Sequence, residues 1–193
     1  MAELKFLFVS WQDLHDACFK LSRKILEKGI KFDRIVCISR GGLIVARILS
    51  DFLDLPISNF TIVSYSAIGK RSCPKIVEEL GVNIKDEKIL LADEIVDHGT
   101  TLKRAVSYLE SLSCKKILSL APYIKPWSNP KPSFWQKKTN RWVVFPYDVR
   151  EYVSDLISIL KDQGKTKKDI QKKIVSLWGD SDQIRYFLRK IPV

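Results

Sequence analysis

Apolar positions along this chain keep two rhythms: short continuous or alternating runs, and longer stretches with apolar residues three or four apart, the periods of strands and helices. Lys5 to Val9 alternates enough for a short strand. Ser10 and Asp13 have the spacing of a capping box, with Asp a weaker partner than Glu. A helix follows with Leu14, Cys18, Leu21 and Ile25 on one face and Gly29 at its close. Asp33 to Ile38 reads as a second strand, then come Ser39-Arg40-Gly41-Gly42 and an apolar helix from Leu43 to about Phe52. Phe60 to Val63 is a third strand ending at Ser64 and Tyr65, and the polar stretch Ser66 to Pro74 leads to a short helix around Ile76 to Leu80. Ile89 to Ala92 is apolar throughout, as a buried parallel strand is, and Thr100 opens a helix carrying Leu102, Val106, Leu109 and Leu112. Lys116 to Ala121 is a fifth strand.

From about residue 150 the pattern is helical only. Tyr152, Val153, Leu156, Ile159 and Leu160 share a face up to Gly164. Thr166 with Asp169 caps a second helix with Ile170, Ile174 and Leu177, and Asp180 or Ser181 starts a third with Ile184, Phe187 and Leu188. Strands alternating with helices predict an α/β domain over residues 1–150, with a mostly parallel sheet flanked by helices, and a helical extension over 151–193.

Composition narrows the class. With 193 residues, 46% of them hydrophobic, the chain can bury a full core and is not a disordered segment. No apolar run approaches the roughly 18 residues of a membrane span and the N-terminus lacks a signal-peptide layout, so a soluble, cytoplasmic protein is expected. The four cysteines, Cys18, Cys37, Cys73 and Cys114, form no Cys-x-x-Cys pair and indicate neither zinc nor a disulfide framework. Cys18 and Cys37 fall on apolar positions and read as small core hydrophobes. Lys plus Arg exceed Asp plus Glu by 33 to 22, a net +11 that favours an anionic partner, polyphosphate or nucleic acid. His15 reads as a surface or boundary side chain beside its helix's apolar face.

The chemistry concentrates between Lys88 and Leu102. Asp93, Glu94 and Asp97 stand at the carboxyl end of a strand, where open α/β sheets bind ligands. The backbone N–H groups of Asp97 to Thr101 stand at a helix N-terminus, which suits a phosphate. Carboxylates beside a phosphate cradle repel it unless a divalent metal or ribose hydroxyls occupy them, so the combination reads as a sugar-phosphate site with Mg2+. Gly41 and Gly42 permit close backbone approach to a ligand, and Arg40 supplies a cation. From Ser111 to Tyr147 there are seven Lys or Arg and no acid, together with Trp127, Trp135 and Trp142. Such a mixture suits a flat heterocycle bearing phosphates, though single-stranded nucleic acid asks for the same ingredients. Arg185 and Arg189 lie four apart on one helix face, the layout of a solvated face or of a recognition helix.

Leu90 to Thr101 resembles the signature of the phosphoribosyltransferases: an apolar strand, two acids, two apolar residues, then Asp-Thr-Gly-x-Thr. This chain departs from it with Glu94 for the usual second Asp and His98 for the usual Thr or Ser. Ser39-Arg40-Gly41-Gly42 is similar to the pyrophosphate loop of the bacterial xanthine-guanine enzymes. The segment Trp142-Val-Val-Phe-Pro-Tyr-Asp148 resembles those enzymes' base-stacking stretch. The resemblance implies a type I phosphoribosyltransferase-like α/β fold with a hood over about 122–148. It implies purine salvage, in which a 6-oxopurine (hypoxanthine, guanine or xanthine) and phosphoribosyl pyrophosphate (PRPP) give a nucleoside monophosphate and pyrophosphate. It implies PRPP contacts at Ser39, Arg40, Gly41, Gly42, Ser64, Tyr65, Asp93, Glu94, Asp97, His98, Gly99, Thr100 and Thr101, with Ser66 to Pro74 as a closing loop and Ser64 and Tyr65 at its base. Asp97 is then the general base at purine N7, Lys125 the donor to O6, Trp142 the stacking platform beside Val143, and Asp93, Glu94 and Asp148 the carboxylates of a Mg2+ site. A homodimer or higher homo-oligomer is implied, with neither membrane nor nucleic acid as partner. Adenine in place of an oxopurine is the nearest alternative. A PRPP-sensing regulator that contacts DNA through the C-terminal helices is the other.

Overall fold

The computed structural model describes residues 5–63, 73–179 and 181–191. They form two compact units: residues 12–140, and the residues up to Trp11 together with those from Arg141 onward.

The first unit is built on a sheet of β2 (Arg34–Ser39), β3 (Ile57–Val63), β4 (Lys75–Glu78), β5 (Lys88–Ala92), β6 (Ile95–Val96), β7 (Lys116–Ile124) and β8 (Phe134–Lys138); β1 (Phe6–Phe8) belongs to the other unit. The spatial order runs β4-β3-β2-β5-β7, and every neighbouring pair is parallel except the β3–β4 hairpin. The chain passes from β2 outward to β3 on one side, while β5 lies on β2's other side, so the order reverses between β2 and β5. Ligands bind at such switch points, beyond the strands' carboxyl ends.

Alternation along the strands sorts the core. Val36, Ile38, Ile89 and Leu91 cluster with Leu102, Ala105 and Leu109 of α3 (Thr100–Ser111). Ile35, Cys37, Leu90 and Leu120, equally buried, belong by the pleat to the opposite face. On that side α1 (Trp11–Glu27) buries Leu14, Cys18, Leu21 and Ile25, and Lys28 just past its end sits 5.8 Å from the Phe134 ring of β8. α2 (Gly42–Leu53) buries Val45, Ala46 and Leu49. Cys18 and Cys37 are fully buried, and burial pushes both thiols up to about 12, as packing groups rather than nucleophiles. His15 is exposed, edge-on to Phe52 at 5.2 Å.

Two expectations change. The helix predicted around Ile76 to Leu80 is the edge strand β4, paired antiparallel with β3 from Val63↔Lys75 to Thr61↔Glu78. Its Lys-Ile-Val-Glu carries two adjacent β-branched residues, of which only Ile76 is partly buried, as suits an edge strand. β7 runs three residues past Ala121, and Pro122 and Tyr123 are buried within it.

The second unit holds β1 and β9 (Trp142–Val144), paired parallel from Phe6↔Trp142 to Phe8↔Val144, with α4 (Val149–Asp162), α5 (Lys167–Trp178) and α6 (Asp182–Lys190). Val144, Tyr152, Val153, Leu156, Leu160, Ile170, Ile174, Ile184 and Leu188 form its core. The helical extension therefore shares a core with β9 and the N-terminal strand. Thr166 and Ser181 cap α5 and α6 by accepting the N–H groups of Asp169 and Ile184.

Candidate active site

Three loops meet at the switch point: 39–42 after β2, 93–101 after β5, and 125–130 after β7. The acidic pair is placed by an interrupted strand. β5 pairs with β7 from Lys88↔Lys116 to Ala92↔Leu120, and β6 resumes in the same register at Ile95↔Tyr123. Asp93 and Glu94 occupy the two intervening positions, still tied to β7 by Asp93 N–H donating to Leu120 O (3.0 Å) and Tyr123 N–H to Glu94 O (3.4 Å). On the other side β2 pairs with β5 only as far as Cys37↔Ala92. The acids thus stand where β2 has turned away and left the sheet open.

The glycines of the first loop are set by this closeness. A Cβ on Gly42 would lie 2.6 Å from Ala92 O and 3.3 Å from Asp93 Cα, and one on Gly41 would overlap the Glu94 carboxylate. Arg40 is exposed beside them, Ser39 is buried with its hydroxyl accepting from Asn59 Nδ2 at 2.8 Å, and the Ser39–Arg40 peptide is cis.

The acids are strained electrostatically. Burial raises the Asp93 carboxyl well above the usual carboxylate range, and the adjacent Glu94 charge raises it further. Asp93 Oδ1 accepts the Glu94 N–H at 3.0 Å, whereas Glu94 Oε2 is buried with no hydrogen-bond partner. An unpaired buried carboxylate oxygen is costly, so the pair is arranged to receive a cation or hydroxyl donors.

Next, Gly99 caps α3 with φ +89°, and a Cβ there would meet Asn129 C and O at 2.5 Å. Glycine is required at this position for both reasons. Thr100 and Thr101 begin the helix, and its first N–H groups point out of the N-terminus as an anion cradle. The third loop is fastened to this turn. Lys125 N–H is shared between Val96 O and Ser128 Oγ (3.0 Å each), Ser128 Oγ donates to Val96 O (2.7 Å), and Asn129 N–H donates to His98 O (3.1 Å).

Asp97, His98, Lys125 and Trp127 come together here. Trp127 Nε1 donates to Asp97 Oδ1 at 2.6 Å, His98 Nε2 stands 3.8 Å from the same oxygen, and Lys125 Nζ lies 5.8 Å from the Trp127 ring centre. Lys125 is buried, which lowers its pKa, while the charge of Asp97 opposes that shift. A donor that burial renders less strongly cationic and a carboxylate therefore flank the same tryptophan.

Trp127 was not singled out as a site residue by sequence. Its signal was its place two residues after Lys125 in a proline-bracketed loop. Of the remaining expected residues, Ser64 and Tyr65, with most of the closing loop, lie outside the described residues. Trp142, Val143 and Asp148 belong to the other unit. There Trp142 is half-buried against the helical core, Val143 is buried opposite Leu7, and Asp148 caps a turn by accepting the Phe145 N–H at 3.3 Å. Their roles rest on the sequence resemblance. Among the described residues no cluster of three or more His, Cys, Asp or Glu forms a metal cage, and no helix is long and apolar enough to cross a membrane.

Residues 10–153 match the phosphoribosyl transferase domain family. A xanthine-guanine phosphoribosyltransferase of Nitratidesulfovibrio vulgaris is 29% identical over 154 residues, covering 78% of this chain and 90% of the relative. One of Gluconobacter oxydans is 30% identical over 144 residues, covering 72% and 83%. Among solved structures, a purine phosphoribosyltransferase from Pyrococcus horikoshii superposes with a TM-score of 0.66 at 30% identity, over 74% of this chain and 93% of that one.

Proposed function

The chain belongs to the phosphoribosyltransferase family, and from that premise we propose that it is a purine salvage enzyme that joins xanthine or guanine, and with them hypoxanthine, to the ribose of PRPP. In the reaction N9 of the base bonds to ribose C1 as the C1–O bond to pyrophosphate breaks. The base's N7 proton passes to the protein, and pyrophosphate leaves with the bonding electron pair.

The observation that carries the choice of base is the placement of Lys125 and Asp97 against the same side chain, Trp127, close enough for the Asp97 charge to act on the lysine. A 6-oxopurine presents, side by side on one edge, an O6 acceptor and an N7–H donor. An ammonium donor beside a carboxylate acceptor complements that edge, whereas adenine offers an amino donor where Lys125 also donates. Asp97 takes the N7 proton as general base, which makes the purine nucleophilic. The names of the curated relatives support the same substrate class.

The other groups hold PRPP in line for the displacement. The α3 N-terminus at Gly99, Thr100 and Thr101 receives the 5′-phosphate, with His98 at its rim. Arg40 and the backbone of Ser39, Gly41 and Gly42 receive pyrophosphate. Asp93 and Glu94 fit either ribose hydroxyls or Mg2+, since the Glu94 oxygen is buried and unpartnered and Asp93 is raised by burial and by its neighbour's charge. Two carboxylates suffice for Mg2+, which keeps several waters and takes further ligands from substrate phosphates. When bound, the ion supplies positive charge against the departing pyrophosphate.

Lys125→Met tests the base assignment, because it keeps the aliphatic stem and removes the donor. The expected result is a loss of about 10²-fold or more in kcat/KM with guanine, as a site loses most when a specific polar partner is deleted. Adenine turnover should stay low. Burial lowers the lysine's folded pKa, so at neutral pH the fold carries the cost of an enclosed charge, and that cost fades as rising pH removes the proton. The methionine variant should therefore melt no lower than wild type at pH 7, with the difference narrowing at high pH. Unchanged guanine turnover would remove Lys125 from recognition.

A further inference from the structure

We propose that Trp127 is the positioning residue for the catalytic carboxylate: its indole N–H occupies Asp97 Oδ1 and turns Oδ2 toward the purine. This rests on the reading of Asp97 as the general base.

Trp127 is 47% exposed, so its burial contributes little of what a tryptophan usually brings to a fold. Yet the loop that carries it is firmly tied to the 93–101 turn. Ser128, a buried hydroxyl, bridges Lys125 N–H and Val96 O. Ser128 N–H donates to Lys125 O (3.2 Å) and Asn129 N–H to His98 O, and Gly99 leaves room only for the Asn129 backbone. The attachments run from both sides of Trp127 to both sides of Asp97. Strands β6 and β7 are in register up to Val96↔Ile124, immediately before the two loops part. The indole is thereby held over the carboxylate, and its one polar atom meets Oδ1 at 2.6 Å.

A carboxylate on an exposed turn rotates about its side-chain bonds and offers its proton-accepting oxygens in many directions. A fixed donor on one oxygen removes that freedom and leaves the second oxygen as the acceptor. The benefit is one of orientation, and misplacement of a reacting group by about 1 Å can cost about 10²-fold in rate. The bond is charge-assisted, and a phenyl ring in place of the indole keeps an aromatic side chain there and loses the restraint. His98, 3.8 Å from Oδ1 and 6.3 Å from the indole ring centre, flanks the same oxygen.

The test is a double-mutant cycle on the full-length enzyme with guanine, PRPP and Mg2+, using Trp127→Phe, Asp97→Asn and the pair. Trp127→Phe is expected to lower kcat by about 10-fold or more, within the misplacement range, with KM for PRPP within about twofold of wild type. In the Asp97→Asn background the same substitution should have no further effect, because the group it positions no longer accepts a proton. Circular dichroism confirms that each variant is folded, and Trp127→Leu provides a second removal of the donor should the phenylalanine repack. If Trp127→Phe leaves kcat unchanged, or lowers it equally in both backgrounds, the positioning role is overturned. If Asp97→Asn itself retains wild-type turnover, the general-base reading fails instead, and the two failures are distinguished by which single variant is silent.

Discussion

Asp97→Asn is expected to reduce kcat with guanine by about 10²- to 10⁴-fold, the range that removal of a general acid or base costs. Asparagine preserves shape, and its amide oxygen can still accept the Trp127 N–H now found at 2.6 Å. What it cannot do is take the purine N7 proton. On the proposed assignment PRPP rests on the α3 N-terminus, the 39–42 loop and the Asp93–Glu94 pair, so its affinity, measured by calorimetry with Mg2+ present, should change by no more than about threefold, well under the 1.4 kcal/mol of a tenfold change. A fall in turnover with affinity retained assigns Asp97 to the chemical step. A loss of less than about tenfold would mean that the proton leaves by another route.

Gly42→Ala should be severely damaging for so small a substitution. The added Cβ would lie 2.6 Å from Ala92 O, a backbone atom fixed by the β2–β5 and β5–β7 ladders. No side chain can swing away to make room, so the 39–42 loop must lift off the sheet. Overpacking of this kind costs about 1–3 kcal/mol of stability, and the displaced pyrophosphate cradle should lower kcat/KM for PRPP by about 10²-fold. Gly81→Ala is the matched control, since a Cβ at Gly81 meets nothing within 4 Å. Thermal melting and PRPP titration of both variants check the expectation. A Gly42→Ala enzyme with wild-type KM would show that the loop does not need its closeness to β5.

How much of this was legible in the sequence depended on whether the residues act locally. β2, β5 and α3 announced themselves because each is buried along one face or both, and burial writes a period into the chain. The order of β2, its glycine loop, β5 and the acidic turn led to the expectation of a site at the carboxyl end of a strand, and the strand order makes that end a switch point. β8 and β9 did not announce themselves, because Phe134–Lys138 and Trp142–Val144 are short, β8 carries two lysines and a glutamine, and β9 pairs with β1, distant in sequence. β4 was misread for the same reason, as a four-residue edge strand shows only one or two alternations. The acids were recognised as chemistry, but not as a gap in a ladder that continues in register on either side, since register exists only between strands. Likewise, the bond from Trp127 to Asp97 joins residues 30 apart. Proline and tryptophan beside Lys125 marked the loop, but only the pairing of β6 with β7 brings it to the turn it serves.

The most direct measurement is pyrophosphate release from PRPP and Mg2+ by the wild-type chain, with xanthine, guanine, hypoxanthine and adenine supplied separately. The expected result is turnover with xanthine and guanine, and with adenine a kcat/KM lower by about 10²-fold or more, because the Lys125 donor meets an amino donor there. Adenine turned over as fast as guanine would contradict the oxopurine assignment while leaving the reaction intact. PRPP bound but consumed with none of the four bases would contradict the enzymatic reading and make the chain a sensor of that metabolite.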